Sequence, residues 1–347
     1  MNYSLNSIVV FYVYLLLLSL IGIKANDKSK FVILIMQALS VSLFYGLRDI
    51  SVGADTSNYV ITYLEQQNWI DKGLVILNRV IYIFAKNNWK IYLFTISFVI
   101  SINLVFAYKY IFKSAFKYVN LAYWSLYCMP YTILMNINII RQGLALSFIL
   151  LGIALIFVCK KKIGILIIAL GCSIHYSMFI VCIGFLAFYY LKINYVIVIL
   201  LIILSLTVSL SGLAEIIIIQ LPIFYIKHKF ISLLNNKTGI SLLPKYLFYM
   251  LNYIIMLLFS TKIKDEIYHI INKFFGFLLL GSAISYISEL SATRFLLSTD
   301  YLIPIIYLYP ICFIKEKKIF ALIYILFIIT YFTYIITSYS LKTNLKI

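Results

Sequence analysis

Charge is scarce in this chain, and arginine is the scarcest basic residue. Only 12% of the 347 residues are Asp, Glu, Lys or Arg, about half the share in a soluble domain. Hydrophobic residues make up 64% and the mean hydropathy is +1.03. No soluble domain of ordinary size is left over. The longest mainly polar stretches are about 48–72 and 225–240. There is no Walker loop and no G-x-G-x-x-G after a strand, so nothing supports a nucleotide-driven step. The five cysteines (Cys128, Cys159, Cys172, Cys182, Cys312) are scattered along apolar runs without a C-x-x-C pair and read as buried thiols. The three histidines lie far apart, with no carboxylate–histidine spacing; no metal site and no cofactor is expected. The net charge of +18 suggests nucleic acid at first sight. Its lysines, however, fall in short loops between apolar runs, where positive charge sets membrane topology, so no nucleic-acid partner is expected.

What remains is a repeated run of about 20 apolar residues, the length that crosses a bilayer as a helix. The expected fold is an all-α polytopic membrane protein, a single integral membrane domain over residues 1–347. About twelve transmembrane or re-entrant segments are expected: 5–23, 31–47, 91–109, 118–135, 138–159, 163–174, 177–191, 194–211, 242–260, 273–288, 296–313 and 319–338. The segments 163–174 and 177–191 are short and could instead form one long or broken helix. The run from Leu5 to Ile23 has no basic region before it and no small-x-small pattern after it, so it reads as a span and not as a cleaved signal.

Alternate loops carry sixteen basic residues, all lysine, from Lys24 to Lys318, against four acids. The positive-inside rule places those loops in the cytoplasm and both termini outside. All four arginines (Arg48, Arg79, Arg141, Arg294) then face outward, with His175. A single span over 163–191 would turn Arg294 inward. The outward loops are expected at about 48–90 and 212–241. The first holds an amphipathic helix with Leu74, Leu77, Val80, Ile81 and Phe84 on one face and Arg79, Tyr82 and Lys86 on the other. Such a helix suits the membrane interface, with Trp69 and Trp89 at headgroup depth.

Arginine pairs with phosphate through a planar fork that lysine lacks. Arg141 and Arg294 are each expected in the first turn of a helix, where free N–H groups already attract an anion. A positive side chain there needs something negative beside it. That anion could be a phosphate or diphosphate ligand, or Asp300, Glu289 or a lipid headgroup. Arg48 ends the second span and is a further anion-site candidate; its alternative is a structural pair with Asp49 or Asp55. His175, between two short segments, could take a proton from a sugar hydroxyl or serve as a hydrogen-bonding residue. Asp55 is a second base candidate or a sugar-hydroxyl ligand. Tyr59 and other outward tyrosines could stack on sugars, although aromatic belts explain most of the 31 tyrosines. Arg79 suits substrate or headgroup contact.

These residues carry a family resemblance. Arg48 with Gly53, Asp55, Thr56 and Tyr59 resembles an Arg followed by G-x-D-T-x-x-Y. Arg141-Gln142-Gly143-Leu144-Ala145 resembles R-Q-x-[LIA]-A, His175 with Ser177 follows about thirty residues on, and Arg294 opens a late span. Tyr176 separates His175 from Ser177, a departure from the commoner direct pairing. The order and spacing are similar to EpsG-like members of the Wzy-type polymerases of O-antigen or capsule. The resemblance implies a multi-pass glycosyltransferase of the bacterial plasma (inner) membrane, with its active site facing outward. It would act on undecaprenyl-diphosphate-linked oligosaccharides, among membrane lipids, with a chain-length regulator protein as a candidate partner. Arg48, Arg141 and Arg294 would bind diphosphate, His175 and Asp55 would be catalytic, and Arg79, Tyr59 and Gln142 would position substrate. A flippase or transporter of the same lipid-linked sugar, an O-antigen ligase-like transferase and a membrane O-acyltransferase are the alternatives.

Overall fold

The computed structural model describes residues 5–158, 160–190, 194–211, 213, 242–286 and 288–337. The expected outward loop at 212–241 therefore lies almost wholly outside the described residues. Among the described residues the fold is helical, without strands, and seven helices are long and apolar enough to cross a membrane. The chain divides into two compact units, residues 1–182 with 307–347, and residues 183–306.

The first unit opens with α1 (Leu5–Lys24) and α2 (Asp27–Gly46). The turn between them is a sequence signal: the Asn26 side chain accepts from Ser29 N at 2.9 Å, and Asp27 in the first turn pairs with Lys30 at 2.8 Å. Next come α3 (Thr56–Leu64), α4 (Lys72–Ala85) and α5 (Trp89–Ile111), the last capped by Asn88. The expected span at 118–135 is in fact two short helices, α6 (Val119–Tyr127) and α7 (Pro130–Ile137), broken at Cys128–Met129. Pro130 opens α7, where its missing N–H costs nothing. Then follow α8 (Ile140–Phe157), α9 (Lys161–Ile174) and α10 (Ser177–Tyr190), the last belonging to the second unit from Ile183 onward. The 163–191 region thus folds as two helices separated at His175–Tyr176.

Helices α8 and α9 lie close because glycine lines their contact. A Cβ on Gly164 would stand 2.6 Å from Gly152 O, and one on Gly171 would stand 2.8 Å from Ala145 O. Small residues let helix backbones approach in this way. Similarly, α2 meets α5 where Gly46 faces Phe94. Polar side chains buried among α1, α2 and α6 bond to one another: Gln37 Nε2 donates to Ser19 Oγ at 2.7 Å, and Asn120 Nδ2 donates to Gln37 Oε1 at 3.3 Å.

The second unit contains α11 (Tyr195–Leu210), α12 (Leu243–Ser260), α13 (Glu266–Ile284) and α14 (Glu289–Thr299). Helix α13 starts seven residues before the expected 273, after Asp265 accepts from Ile267 N. Lys273 is therefore inside a helix and not in a loop. The expected segment 296–313 is also split, between α14 and α15 (Ile303–Ile311); Pro304 stands at the second position of the latter. Arg294 is consequently the sixth residue of α14, not a first-turn residue. Helix α16 (Lys317–Thr337) returns to the first unit.

Helix α4 carries apolar residues on two sides. Leu74, Val75, Asn78, Ile81 and Ala85 are buried, while Val80 and Phe84 join Ile76 and Ile83 outside. Packing against α9 and α5 covers Leu74 and Ile81 of the expected apolar face and leaves Val80 and Phe84 of that face in an exposed apolar row.

Candidate active site

The end of α2, the loop to α3, the start of α4, the α7–α8 turn and the end of α9 converge at one end of the first unit. Arg48 forms the floor. It is fully buried, and its Nη1 donates to Tyr45 O at 2.5 Å while Nη2 reaches Ile137 O and Thr56 Oγ1 at 3.4 Å. A buried guanidinium is costly unless it is hydrogen-bonded, and here backbone carbonyls of two segments meet that need. The Thr56 hydroxyl lies 2.8 Å from the same Ile137 O, and Asp55 N donates to Asn138 Oδ1 at 2.8 Å. Gly53 makes this docking possible. Its φ is +87°, and a Cβ there would stand 2.5 Å from Ile137 O. Arg48 thus ties the 48–56 loop to the turn from which α8 departs.

Arg141 is the second residue of α8, and its side chain is 31% exposed. Its Nη1 donates to Asp71 Oδ2 at 2.6 Å. The guanidinium carbon lies 4.2 Å from the Trp69 ring centroid and 5.9 Å from that of Tyr59, a cation–π arrangement. A cation in a first helical turn opposes the helix dipole, and Asp71 supplies the negative partner that this position needs.

Asp71 precedes α4 without capping it. Its Oδ1 instead accepts from Tyr176 N at 3.1 Å, and its Oδ2 stands 3.7 Å from His175 Nδ1. The close approach of Gly73 to Ser173 holds the start of α4 against the end of α9. His175 follows the last residue of α9 in an extended conformation (φ −150°, ψ 105°) and is mostly buried. Burial by itself raises the Asp71 carboxyl. The His175 imidazole, the Tyr176 N–H and the Arg141 charge more than offset that and hold it below the usual carboxylate range. Asp71 is therefore ionised at neutral pH.

Beside this cluster lies an open cavity of about 370 Å³ lined by Asp55, Asn58, Tyr59, Thr62, Gln67, Trp69 and Arg141, with Ile61 at its edge. Its size is that of a small-ligand cleft. The Asp55 side chain is exposed and makes no capping bond to α3. Tyr59 is buried; burial raises its hydroxyl, and the neighbouring Arg141 only partly reverses this. The arrangement offers a carboxylate, two amides, hydroxyls, an indole and a guanidinium around one space.

Of the residues expected at a site, Arg141 and His175 meet through Asp71, and Asp55 and Tyr59 line the same cavity as Arg141. Arg48 lies beneath them, without exposure. Gln142 is fully buried, and Arg79 is exposed, donating to Asn68 Oδ1 at 3.0 Å. Arg294 is exposed on α14 in the second unit. Trp69, placed from sequence at headgroup depth, is the plate under Arg141. Sequence reasoning missed Asp71. Its one local signal is an aspartate directly before an amphipathic helix, a common capping pattern.

No curated protein and no solved structure matches the chain. The model of the EpsG family matches residues 31–346, nearly the whole length. With that match over nearly its whole length, this multi-pass helical chain belongs to the EpsG family, a family of Wzy-like polymerases.

Proposed function

We propose that this protein is a polysaccharide repeat-unit polymerase. It transfers a glycan chain from undecaprenyl diphosphate to the next lipid-linked repeat unit at the outer face of the plasma membrane. The observation that carries this reading is the half-exposed Arg141 guanidinium, stacked on Trp69 at the wall of a polar cavity with His175 close by.

The reaction forms a bond from the acceptor hydroxyl oxygen to the anomeric carbon. It breaks the bond from that carbon to the diphosphate, which leaves with the electron pair. Arg141 faces the space where this charge develops, and fixed donors aimed at developing charge supply the largest part of many rate enhancements. His175 takes the acceptor proton. Asp55, Asn58 and Gln67 are placed to bond sugar hydroxyls, and Trp69 offers an apolar face. Arg48 serves this site from below: its contacts go to Tyr45, Thr56 and Ile137, so it holds the turn that carries Arg141. Arg294 stays a candidate diphosphate ligand on the strength of its charge and exposure.

Deletion of the gene followed by electrophoresis of surface polysaccharide tests the reading. A single repeat unit on its anchor is the expected product. Complete loss of surface repeats would instead mean a flippase, unattached full-length polymer a ligase, and full ladders lacking acetyl groups an acyltransferase.

A further inference from the structure

The Asp71 carboxylate has an uneven set of partners. Oδ1 is committed to the Tyr176 N–H. Oδ2 faces two cationic or donor groups at once, Arg141 Nη1 at 2.6 Å and His175 Nδ1 at 3.7 Å. The first is a full charge-assisted bond and the second is beyond hydrogen-bond length. His175 Nδ1 is buried and has no hydrogen-bond partner in this arrangement. A buried polar atom left this way is unusual and calls for an explanation. The one anion beside it is occupied by an arginine that is itself partly open to the cavity.

We propose that Asp71 is a positioning residue whose Oδ2 passes from Arg141 to His175 when an anionic group of the substrate engages the guanidinium. In the ligand-free protein Arg141 rests on Asp71. A diphosphate oxygen in the cavity offers the same charge and fork geometry and draws Arg141 away. His175 then closes the gap and donates its Nδ1–H to Oδ2. That bond fixes the imidazole tautomer with Nε2 unprotonated, the form that can accept a proton, because the partner of one ring nitrogen decides the state of the other. Anion binding and orientation of the base thereby become coupled through one oxygen atom. This inference rests on the reading of Arg141 as the diphosphate ligand and His175 as the base. It adds the carboxylate that links them.

The test reads the ring directly and needs no turnover. The chain has three histidines, so full-length protein with His228 and His269 replaced by Gln, labelled with ¹⁵N-histidine and held in detergent, reports His175 alone. In the ligand-free protein the neutral ring should show a mixture of tautomers. Arg141→Gln, which vacates Oδ2, should raise the ratio of Nδ1–H to Nε2–H by roughly tenfold, the worth of one hydrogen bond to a charged group. In an Asp71→Asn background the same Arg141→Gln change should leave the ratio unmoved. An equal rise in both backgrounds would overturn the coupling, and so would no rise in either. If the variants fail to fold, the parent protein still decides: addition of inorganic pyrophosphate should move His175 toward Nδ1–H, and a ring fixed as Nε2–H throughout sinks the proposal. A failed polymerase assignment would appear in the polysaccharide gel and not in this spectrum, so the two failures are distinguishable.

Discussion

The two ends of the first unit use positive charge in opposite ways. At one end Lys30, Lys109, Lys117 and Lys160 lie over aromatic rings, with Lys109 Nζ 3.9 Å from the Phe31 centroid and the others at 5.5–5.9 Å from Phe116, Tyr118 and Tyr110. Of these four, Lys30 also pairs with Asp27, whose side chain is 77% exposed. At the other end Arg48 is sealed in, and Arg141 is paired with a carboxylate only 7% exposed beside a histidine. Lysines in short loops of this kind set orientation in the membrane. An arginine and a carboxylate taken out of water cost several kcal/mol each unless well paired. Under the proposed function this cluster meets the substrate, so the arginine end is where substitutions should matter most.

The largest effect is expected from Arg141→Lys. The ammonium keeps the charge but loses the fork and the stacking on Trp69. Polymerisation should fall by about 100-fold or more, as when a single transition-state donor is removed, leaving single repeats on a gel; normal polymer length would remove Arg141 from the diphosphate role.

Asp71→Asn comes next, with a loss of roughly 10- to 100-fold that Asp71→Glu should partly restore, the range for a residue that orients a reacting group. The same variant should change the acid side of the stability curve. The folded carboxyl is held below its ordinary value, so its contribution is complete above the unfolded pKa of about 4. It is lost as pH falls through the lower folded value. A thermal-shift series in detergent from neutral to acid pH should show a drop in the parent that is smaller in Asp71→Asn. Equal slopes would contradict the pairing.

Gly53→Ala tests the floor without touching the charges. A positive φ and contact with Ile137 O together should cost about 1–3 kcal/mol, read as a lower melting temperature. Trp69→Phe should have a smaller effect than Trp69→Ala on polymer length, since a ring under Arg141 is kept. The smallest change belongs to the other end. Lys109→Gln should leave polymer length within about twofold of the parent, because a single cation–π contact on a half-buried lysine is worth about 1 kcal/mol. A large loss there would erase the contrast between the two ends.

Much of the helical layout was legible in the sequence because apolar length and capping residues are local. Asn26, Asn88 and Asp265 mark helix starts by their side-chain bonds. The breaks inside 118–135 and 296–313 escaped a hydropathy reading, since an interrupted helix buried among others is as apolar as a continuous one. Pro130 and Pro304, early in α7 and α15, were the available signals. The site was half legible. Arg141 and His175 stood out by residue type and place. Asp71 did not, because its partners are 70 and 105 residues away and only the fold brings them together. Which apolar residues of α4 pack inside was not legible for a related reason: with apolar residues on both sides, its neighbours choose which side is covered.

The short length of α9 has a consequence for depth. Its 14 residues rise about 21 Å, whereas a hydrocarbon core is about 30 Å thick. With Lys160–Lys162 at one boundary, His175 stops roughly 9 Å short of the other. The proposed proton acceptor would then sit in a recess below the headgroups. A lipid carrier could present its reactive linkage there by sinking slightly, without being lifted out of the bilayer.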